Sequence, residues 1–528
     1  MNVASLFVRQ AAVRPSAAAL IAGRGAARRV LKYAELNEET ARLAALFDAD
    51  GLGPGDPALV LLPTSLELYV TLIALLRIGA VPVLPDPAAE RGEIAAVCAA
   101  VGPRALIAPR KAHWLRVVEP GPRAIPLKYA TAPRVPGARW LGGLADMAPL
   151  DAVADVDPGH PALVTFSGGP AGLSDGIVRS HGLLRAQHEA LAAVLRPQPG
   201  TAAMAALPGF VLANLAEGVA SVLPDADLAG PGAADPRVLG DQIAENRVTQ
   251  LLAPPALCER LADGGSRLEG LTAVFAGGEP VFPDILDRLA LAAPGAALVA
   301  AYGSGAAGPI AHIAWPEVTD TDLWAMASGW GLLAGPPVPE VQVAVLPDRF
   351  GDPVGPFEPE AFAAEAVPAG EPGEIVVAGP HVVPGFLDGG RGGSATGIRV
   401  GETVWHRTGD AGWVDRRGRL WLLGRCPTRP AGGRPLYALA AETAARCRLG
   451  PRRVACLDHE GQRLLVVEGR DEPDTGALEE VLGPLGIDAI LQLKHIPTER
   501  RRDAGIDYPR LRACLGRAWV LAERGAAS

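Results

Sequence analysis

Along much of this 528-residue chain, short apolar runs alternate with longer stretches in which apolar positions recur every three or four residues. Pro57 to Leu62 reads as a buried strand, Ser65 to Arg77 as a helix and Val81 to Leu84 as the next strand, and Glu90 to Ala100 followed by Ala105 to Ala108 repeats the unit. Strands that alternate with helices of this length form parallel sheets covered on both faces. The rhythm returns at Thr201 to Leu207, Gln250 to Ala253, Ala273 to Ala276 and Ala297 to Ala301. From about Gly335 the pattern shortens, and Val341 to Leu346 and Gly373 to Ala378 read as antiparallel or barrel strands. Near the C-terminus, Arg453 to Leu457 and Arg463 to Glu468 predict two strands, with helices near Glu442 and Ala477. The Pro/Gly-rich stretch Pro427 to Pro435 reads as a linker. The expected fold class is therefore α/β. A large N-terminal domain, 1–425, holds parallel α/β subdomains and a small β-barrel-like one, and a small α+β domain covers 426–528.

Composition narrows the class. Gly (63) and Pro (50) are abundant, yet 49% of residues are hydrophobic and the net charge is only -9, so the chain buries cores rather than staying disordered. With no basic run beyond Arg500-Arg501-Arg502, the acidic balance argues against a nucleic acid or an anionic membrane as partner. The most apolar long stretch, Leu66 to Leu84, is interrupted by Glu67 and Arg77, so no membrane span is expected. The six cysteines show no C-x-x-C spacing, and no His, Cys or acidic cluster has the spacing of a metal site. The start of the chain lacks a charged head and apolar core, so a cytoplasmic protein is expected.

The sharpest local signal runs from Leu163 to His181, where an apolar strand enters a glycine-rich loop and leaves into a helix starting near Ser180. Glycines let backbone N–H groups approach an anion, and the following helix offers its N-terminus. Ser167, Gly169 and Gly172 are the candidate phosphate contacts, although an ordinary flexible connection has the same look. His181 is a candidate general base, weighed against a role at the helix start or in a pocket wall.

Three further segments change this picture: Ala300 to Pro309, Trp405 to Gly412 and Gly418 to Arg425. With the glycine loop, their order and spacing resemble the adenylate-forming (AMP-dependent synthetase/ligase) superfamily of acyl-CoA synthetases, peptide-synthetase adenylation domains and luciferases. Leu31-Lys32-Tyr33-Ala34-Glu35-Leu36, Gly79-Ala80-Val81-Pro82-Val83 and Phe275-Ala276-Gly277-Gly278-Glu279-Pro280-Val281 are similar to further elements of that superfamily. Leu207 to Phe210, Ser221 to Asp227 and Arg500 to Tyr508 look most like the β-lactone synthetases of olefin biosynthesis. The resemblance implies a carboxylate that attacks ATP to give acyl-AMP and pyrophosphate, and a small C-terminal lid. It also implies an acyl or β-hydroxyacyl substrate, free or bound to CoA or a carrier, and a natural-product pathway that holds an active partner enzyme.

Carried over residue by residue, the resemblance implies that the nucleoside half of the site is present. Tyr302, followed by Gly303, matches the aromatic that lies on adenine, and Gly278 and Glu279 stand on the turn beside the base. Asp410 matches the carboxylate that takes both ribose hydroxyls, and Arg425 matches the arginine that also reaches the ribose. The phosphate half departs from the pattern. Ser167 survives, but the next loop hydroxyl positions are Gly168, Pro170 and Ala171, and Ser174 and Asp175 replace its proline and lysine. Gly305 and Ala306 replace a threonine and the Mg²⁺-holding glutamate, Gly505 replaces the lid lysine, and Pro427 falls in the hinge. Drift in a chain with four lysines would give arginine, whereas Asp175 reverses the charge and Gly505 removes it. The resemblance thus implies AMP or ATP held through the nucleoside site, Mg²⁺ not held in the usual way, and ATP activation lost or weak. A ligase with substitute residues such as Arg501 or Arg502, a pseudoenzyme, and an ATP-independent acyl-transfer or cyclisation enzyme remain open readings. Gly209 to Val222 and the Trp324 to Trp330 region are the expected walls of an acyl site.

Overall fold

The computed structural model describes all residues except 88, 167–175, 229, 266–267, 350, 386, 388–396, 427–434, 472–473, 499–504 and 524–528. It divides into two compact units, one of residues 1–229, 241–252 and 380–393, the other of residues 230–240, 253–379 and 394–528.

In the first unit a seven-stranded sheet runs in the order Arg139–Trp140, Leu127–Ala130, Ala105–Ala108, Pro57–Val60, Val81–Leu84, Pro161–Phe166, Gly176–Ser180. All its pairs are parallel except the last, an antiparallel hairpin. The helix Leu66–Arg77 starts at Ser65, whose hydroxyl accepts from the Leu68 N–H, and is buried along nearly its whole length. It ends at Gly79 (φ +76), where a Cβ would lie 3.3 Å from the Pro54 Cα, so glycine alone closes this turn into the next strand. Glu35 accepts from the Lys32 N–H at 2.8 Å and caps the helix Tyr33–Ala49, while the Tyr33 hydroxyl donates to the Leu215 carbonyl at 3.0 Å. The Leu-Lys-Tyr-Ala-Glu-Leu element is thus a helix start tied to a distant turn. The unit's other strands lie in the order Val248–Ala253, Ala202–Ala205, Ala220–Val222, Ala18–Ala22, Arg29–Lys32.

The second unit holds the parallel pair Ala273–Gly277 and Ala297–Tyr302 with the antiparallel Ala311–Ala314. It also holds a six-stranded antiparallel sheet in which Thr403–Val414 pairs with Gly373–Ala378, Gly397–Val400 and Leu420–Arg425. Nearer the C-terminus a four-stranded sheet runs Val454–His459, Gln462–Glu468, Ala489–Leu493, Trp519–Glu523, its central pair parallel and its outer pairs antiparallel. The α/β class with parallel sheets and a smaller C-terminal α+β element is therefore what the chain adopts, with two more C-terminal strands than its sequence predicts. A second departure is Gly176–Ser180, expected as a loop running into a helix and found as a strand that precedes the helix His181–Leu195. Among the described residues no helix is long and apolar enough to cross a membrane.

Two charged side chains, one partly buried and one buried, shape the C-terminal element. Arg446, on the helix Ala438–Leu449, bonds Asp284 at 2.8 and 2.9 Å, pairs with Glu259 and lies over the Phe282 ring at 4.5 Å. On the same helix Glu442 accepts from the Cys456 N–H at 2.9 Å and the Tyr508 hydroxyl at 2.7 Å, yet burial pushes its pKa up to about 6. A carboxyl raised on folding stabilises most below its ordinary value of 4.5 and loses that contribution as pH rises through about 6. Glu442→Gln keeps both acceptor bonds, so it is expected to raise stability at pH 8 by about 2 kcal/mol and to flatten the pH dependence between those values. Denaturant midpoints measured across pH check this.

Candidate functional site

Parallel strands present ligands at their C-terminal ends, and here those of Ala273–Gly277 and Ala297–Tyr302 end side by side, Gly277 in register with Ala301. One residue on, Gly278 (φ +92) is exposed, and a Cβ there would meet nothing within 4 Å. Glu279, next to it, is half-buried, as is Tyr302. Gly303 has no such room, since a Cβ would come within 2.8 Å of the Gly308 Cα. The chain must therefore turn on glycine immediately after the aromatic.

Tyr302 meets Asp410 across 108 residues of sequence, the phenol donating to the carboxylate at 2.8 Å. Asp410 lies in the long strand Thr403–Val414 opposite Arg425, whose guanidinium stands 3.2 Å from the other carboxylate oxygen. That guanidinium also bonds the Thr408 carbonyl at 3.2 Å. The Asp410 side chain is 24% exposed and that of Arg425 77%, so the carboxylate is shielded while the cation above it stays wet. Thr408, which sequence reasoning gave no role, fixes the turn: its hydroxyl oxygen accepts from the Asp410 N–H at 3.0 Å, and its O–H donates to the Ile375 carbonyl at 2.8 Å. Burial raises the Asp410 carboxyl above the usual range, against the pull of Arg425 and Tyr302, and burial followed by the Asp410 charge raises the Tyr302 phenol.

Beneath this layer sits an ion pair that the sequence did not announce. Arg407 and Glu374 are each 1% exposed, and three N···O contacts between 2.5 and 3.0 Å join them. Arg407 also bonds the Asp352 carbonyl at 2.6 Å and the Arg349 carbonyl at 2.9 Å. Its place beside His406 and Thr408 in a strand was the available signal, because a charge at an inward strand position needs a buried partner.

A nucleoside fits these residues. Each Asp410 oxygen already takes one donor and keeps a second lone pair for one hydroxyl of a vicinal diol, and Gly278 leaves open space beside the level of the Tyr302 ring. A polyphosphate with Mg²⁺ fits the same turn poorly. Ala306 is 5% exposed, and the N–H groups of Ala306 and Ala307 both donate to Ser304 Oγ at 3.2 Å, so the turn's hydroxyl oxygen is used internally and a methyl stands where an oxygen ligand would be needed.

The other expected positions fall elsewhere. Ser167, Gly169 and Gly172, with Gly168, Pro170, Ala171, Ser174, Asp175 and Pro427, lie outside the described residues. His181 caps no open site. It is fully buried, its Nδ1 accepts from the Val3 N–H at 3.2 Å, and burial pulls its pKa down to about 4, so this geometry gives the general-base expectation no support. Gly209 to Val222 forms the largely buried helix Pro208–Glu217 and the strand Ala220–Val222. Trp324 and Trp330 are 62% and 52% exposed and lead through Trp413, stacked on the buried Trp421, so these rings form a ladder from the surface into the core. Gly505 is followed by Ile506, which bridges to Thr498.

The profile of the AMP-binding enzymes matches residues 7–387. The chain belongs to the AMP-binding enzyme family. Relatives of this AMP-binding chain include the olefin beta-lactone synthetase of Xanthomonas campestris pv. campestris, 30% identical, with 97% of this chain and 96% of that protein aligned. The olefin beta-lactone synthetase of Stenotrophomonas maltophilia is 31% identical over 86% of this chain and 84% of its own length. Among solved structures, the amide bond synthetase McbA from Marinactinospora thermotolerans and ATP-bound MatB from Rhodopseudomonas palustris each superpose with a TM-score of 0.77 at 20% identity, covering 97% of this chain and 99% of theirs. These likenesses carry the fold, and the family match supports an adenylate site in this chain.

Proposed function

We propose that this AMP-binding family member retains recognition of an adenine nucleotide and of an acyl or β-hydroxyacyl substrate, while its ATP activation is lost or strongly weakened. The observation that carries the reading is the contrast within one site. Tyr302, Asp410 and Arg425 form a connected nucleoside cradle, whereas the turn directly after Tyr302 offers the buried methyl of Ala306. Two charge-assisted bonds from a ribose diol to Asp410 are worth roughly 1.5–3 kcal/mol each. Loss of one electrostatic stabiliser of a developing charge costs about 10²–10³ in rate. The alignment with olefin beta-lactone synthetases supports the β-hydroxyacyl class of substrate, and the reading takes that substrate as free or carried by CoA or a carrier protein, beside an active partner enzyme of the same pathway.

Thermal shifts with AMP, with ATP and Mg²⁺, and with β-hydroxyacyl thioesters test this reading. AMP at about 100 times its Kd is expected to stabilise the chain by about 2.7 kcal/mol, with no further gain from ATP and Mg²⁺. Asp410→Ala is expected to cancel the shift. Stabilisation by acyl thioester but by neither nucleotide would move the chain to the ATP-independent reading.

A further inference from the structure

The acidic chain conceals a basic face. Between Arg104 and Arg139 the sequence carries eight Lys or Arg residues and one acid, Glu119, with no two adjacent except Arg110 and Lys111. Arg104 and Arg139 are neutralised by Asp56 and Asp50. The fold gathers others. Arg123 donates to the Arg116 carbonyl at 3.0 Å and to that of Val117, and Arg116 donates to the Pro136 carbonyl at 2.8 Å, close to the exposed Arg134. Lys128 bonds the Ile125 carbonyl. Carbonyl oxygens satisfy these donors without cancelling their charge. The uncancelled field shows in its neighbours: after burial, Arg116 is a cause of the lowered pKa of both Lys128 and His113.

In the middle of these cations the chain exposes apolar side chains. Trp114 is 64% exposed, Val117 55% and Val118 40%. They sit on short helical turns, Ala112–Trp114 and Leu115–Val118, held down by the buried His113, Pro122 and Ile125, with His113 Nε2 3.0 Å from the Tyr129 carbonyl. A tryptophan with more than half its surface in water projects rather than lining a groove, so the shape does not suit a partner helix, which needs a groove. Tryptophan and aliphatic side chains ringed by Arg and Lys suit the interface of an anionic bilayer, where the indole settles at headgroup level and each cation adds attraction.

We propose that this face, Trp114, Val117 and Val118 with Arg116, Arg123 and Lys128, docks the protein reversibly on an anionic lipid surface. The absence of a long basic run in the sequence argues against such a partner. The run is missing because the charges are spaced along the sequence and brought together by folding.

Sedimentation of the full chain with phosphatidylcholine vesicles, with and without one-third phosphatidylglycerol, tests this. Binding is expected only to the anionic vesicles and is expected to fall steeply from low to half-molar salt. Arg116→Glu with Arg123→Glu is expected to weaken it by more than about tenfold. Because those guanidinium groups also brace the loop, Arg110→Glu with Lys111→Glu, both exposed, forms a second pair with the same expected loss. Trp114→Ala with Val117→Ser is expected to weaken binding while leaving its salt dependence in place, and the exposed Arg417→Glu is expected to change nothing. Melting curves verify that each variant is folded. Equal binding to neutral vesicles, no binding, or binding unaffected by the patch variants overturns the proposal. So does vesicle-negative behaviour with capture of an acidic carrier protein or an oligonucleotide.

Discussion

Arg407→Met is expected to destabilise the protein by about 3–5 kcal/mol, because it leaves the Glu374 carboxylate buried without its counter-ion. Both side chains are 1% exposed, and burial already lifts the Glu374 carboxyl above the usual range against the pull of Arg407. The double variant Arg407→Met with Glu374→Leu replaces the pair by apolar groups of similar size and is expected to recover much of the loss. Recovery stays incomplete, because the Asp352 and Arg349 carbonyls lose their donor. Arg407 is the neighbour of Thr408, whose hydroxyl holds the Asp410 amide, so the single variant is also expected to weaken AMP binding. Denaturant titration with and without AMP reads both effects. A single-variant cost below about 1 kcal/mol would show that the pair is not the support of the site that its burial implies.

The second large effect is a gain. Restoring lysine at Asp175 and Gly505 together with glutamate at Ala306 is expected to raise ATP–pyrophosphate exchange by about 10² or more, since each group stabilises charge that develops in the transition state. Ala306 is the demanding position. At 5% exposure, a glutamate there must rotate toward a bound cation or displace the turn that Ser304 closes. Ala306→Gln in the same background separates the two outcomes. It has nearly the same shape and no charge, so it is expected to disturb the turn equally while recovering much less exchange. Equal rates with glutamine and glutamate would mean that the missing charge at 306 is not what limits activation.

How much of this was readable from sequence depends on the residues in question. Val81–Leu84 and Ala105–Ala108 were legible because short all-apolar runs next to helical periodicity leave few alternatives to buried parallel strands. Ala489–Leu493 was not, although it is equally buried, because five inward residues without alternation do not separate a strand from a buried helix. Gly176–Ser180 was hidden by its own composition: a strand opening on glycine and carrying the buried Arg179 imitates a loop. Tyr302, Gly278, Asp410 and Arg425 were candidates through resemblance to a known pattern, and nothing in local periodicity could have shown that Tyr302 and Asp410, 108 residues apart, meet. Thr408, Glu374 and Arg407 were missed because they hold the site from behind. Their signal is burial of polar groups, which only the folded chain displays. The basic face escaped for a related reason, as six of the eight cations from Arg104 to Arg139 have no charged neighbour in sequence.

ATP–pyrophosphate exchange by the unmodified chain, over a panel of β-hydroxy and simple fatty acids with Mg²⁺, bears most directly on the proposed contrast between a retained nucleoside cradle and a weakened phosphate site. The expected result is exchange at or near background in a preparation that binds AMP in an Asp410-dependent way. Robust exchange that disappears in Asp410→Ala would contradict it.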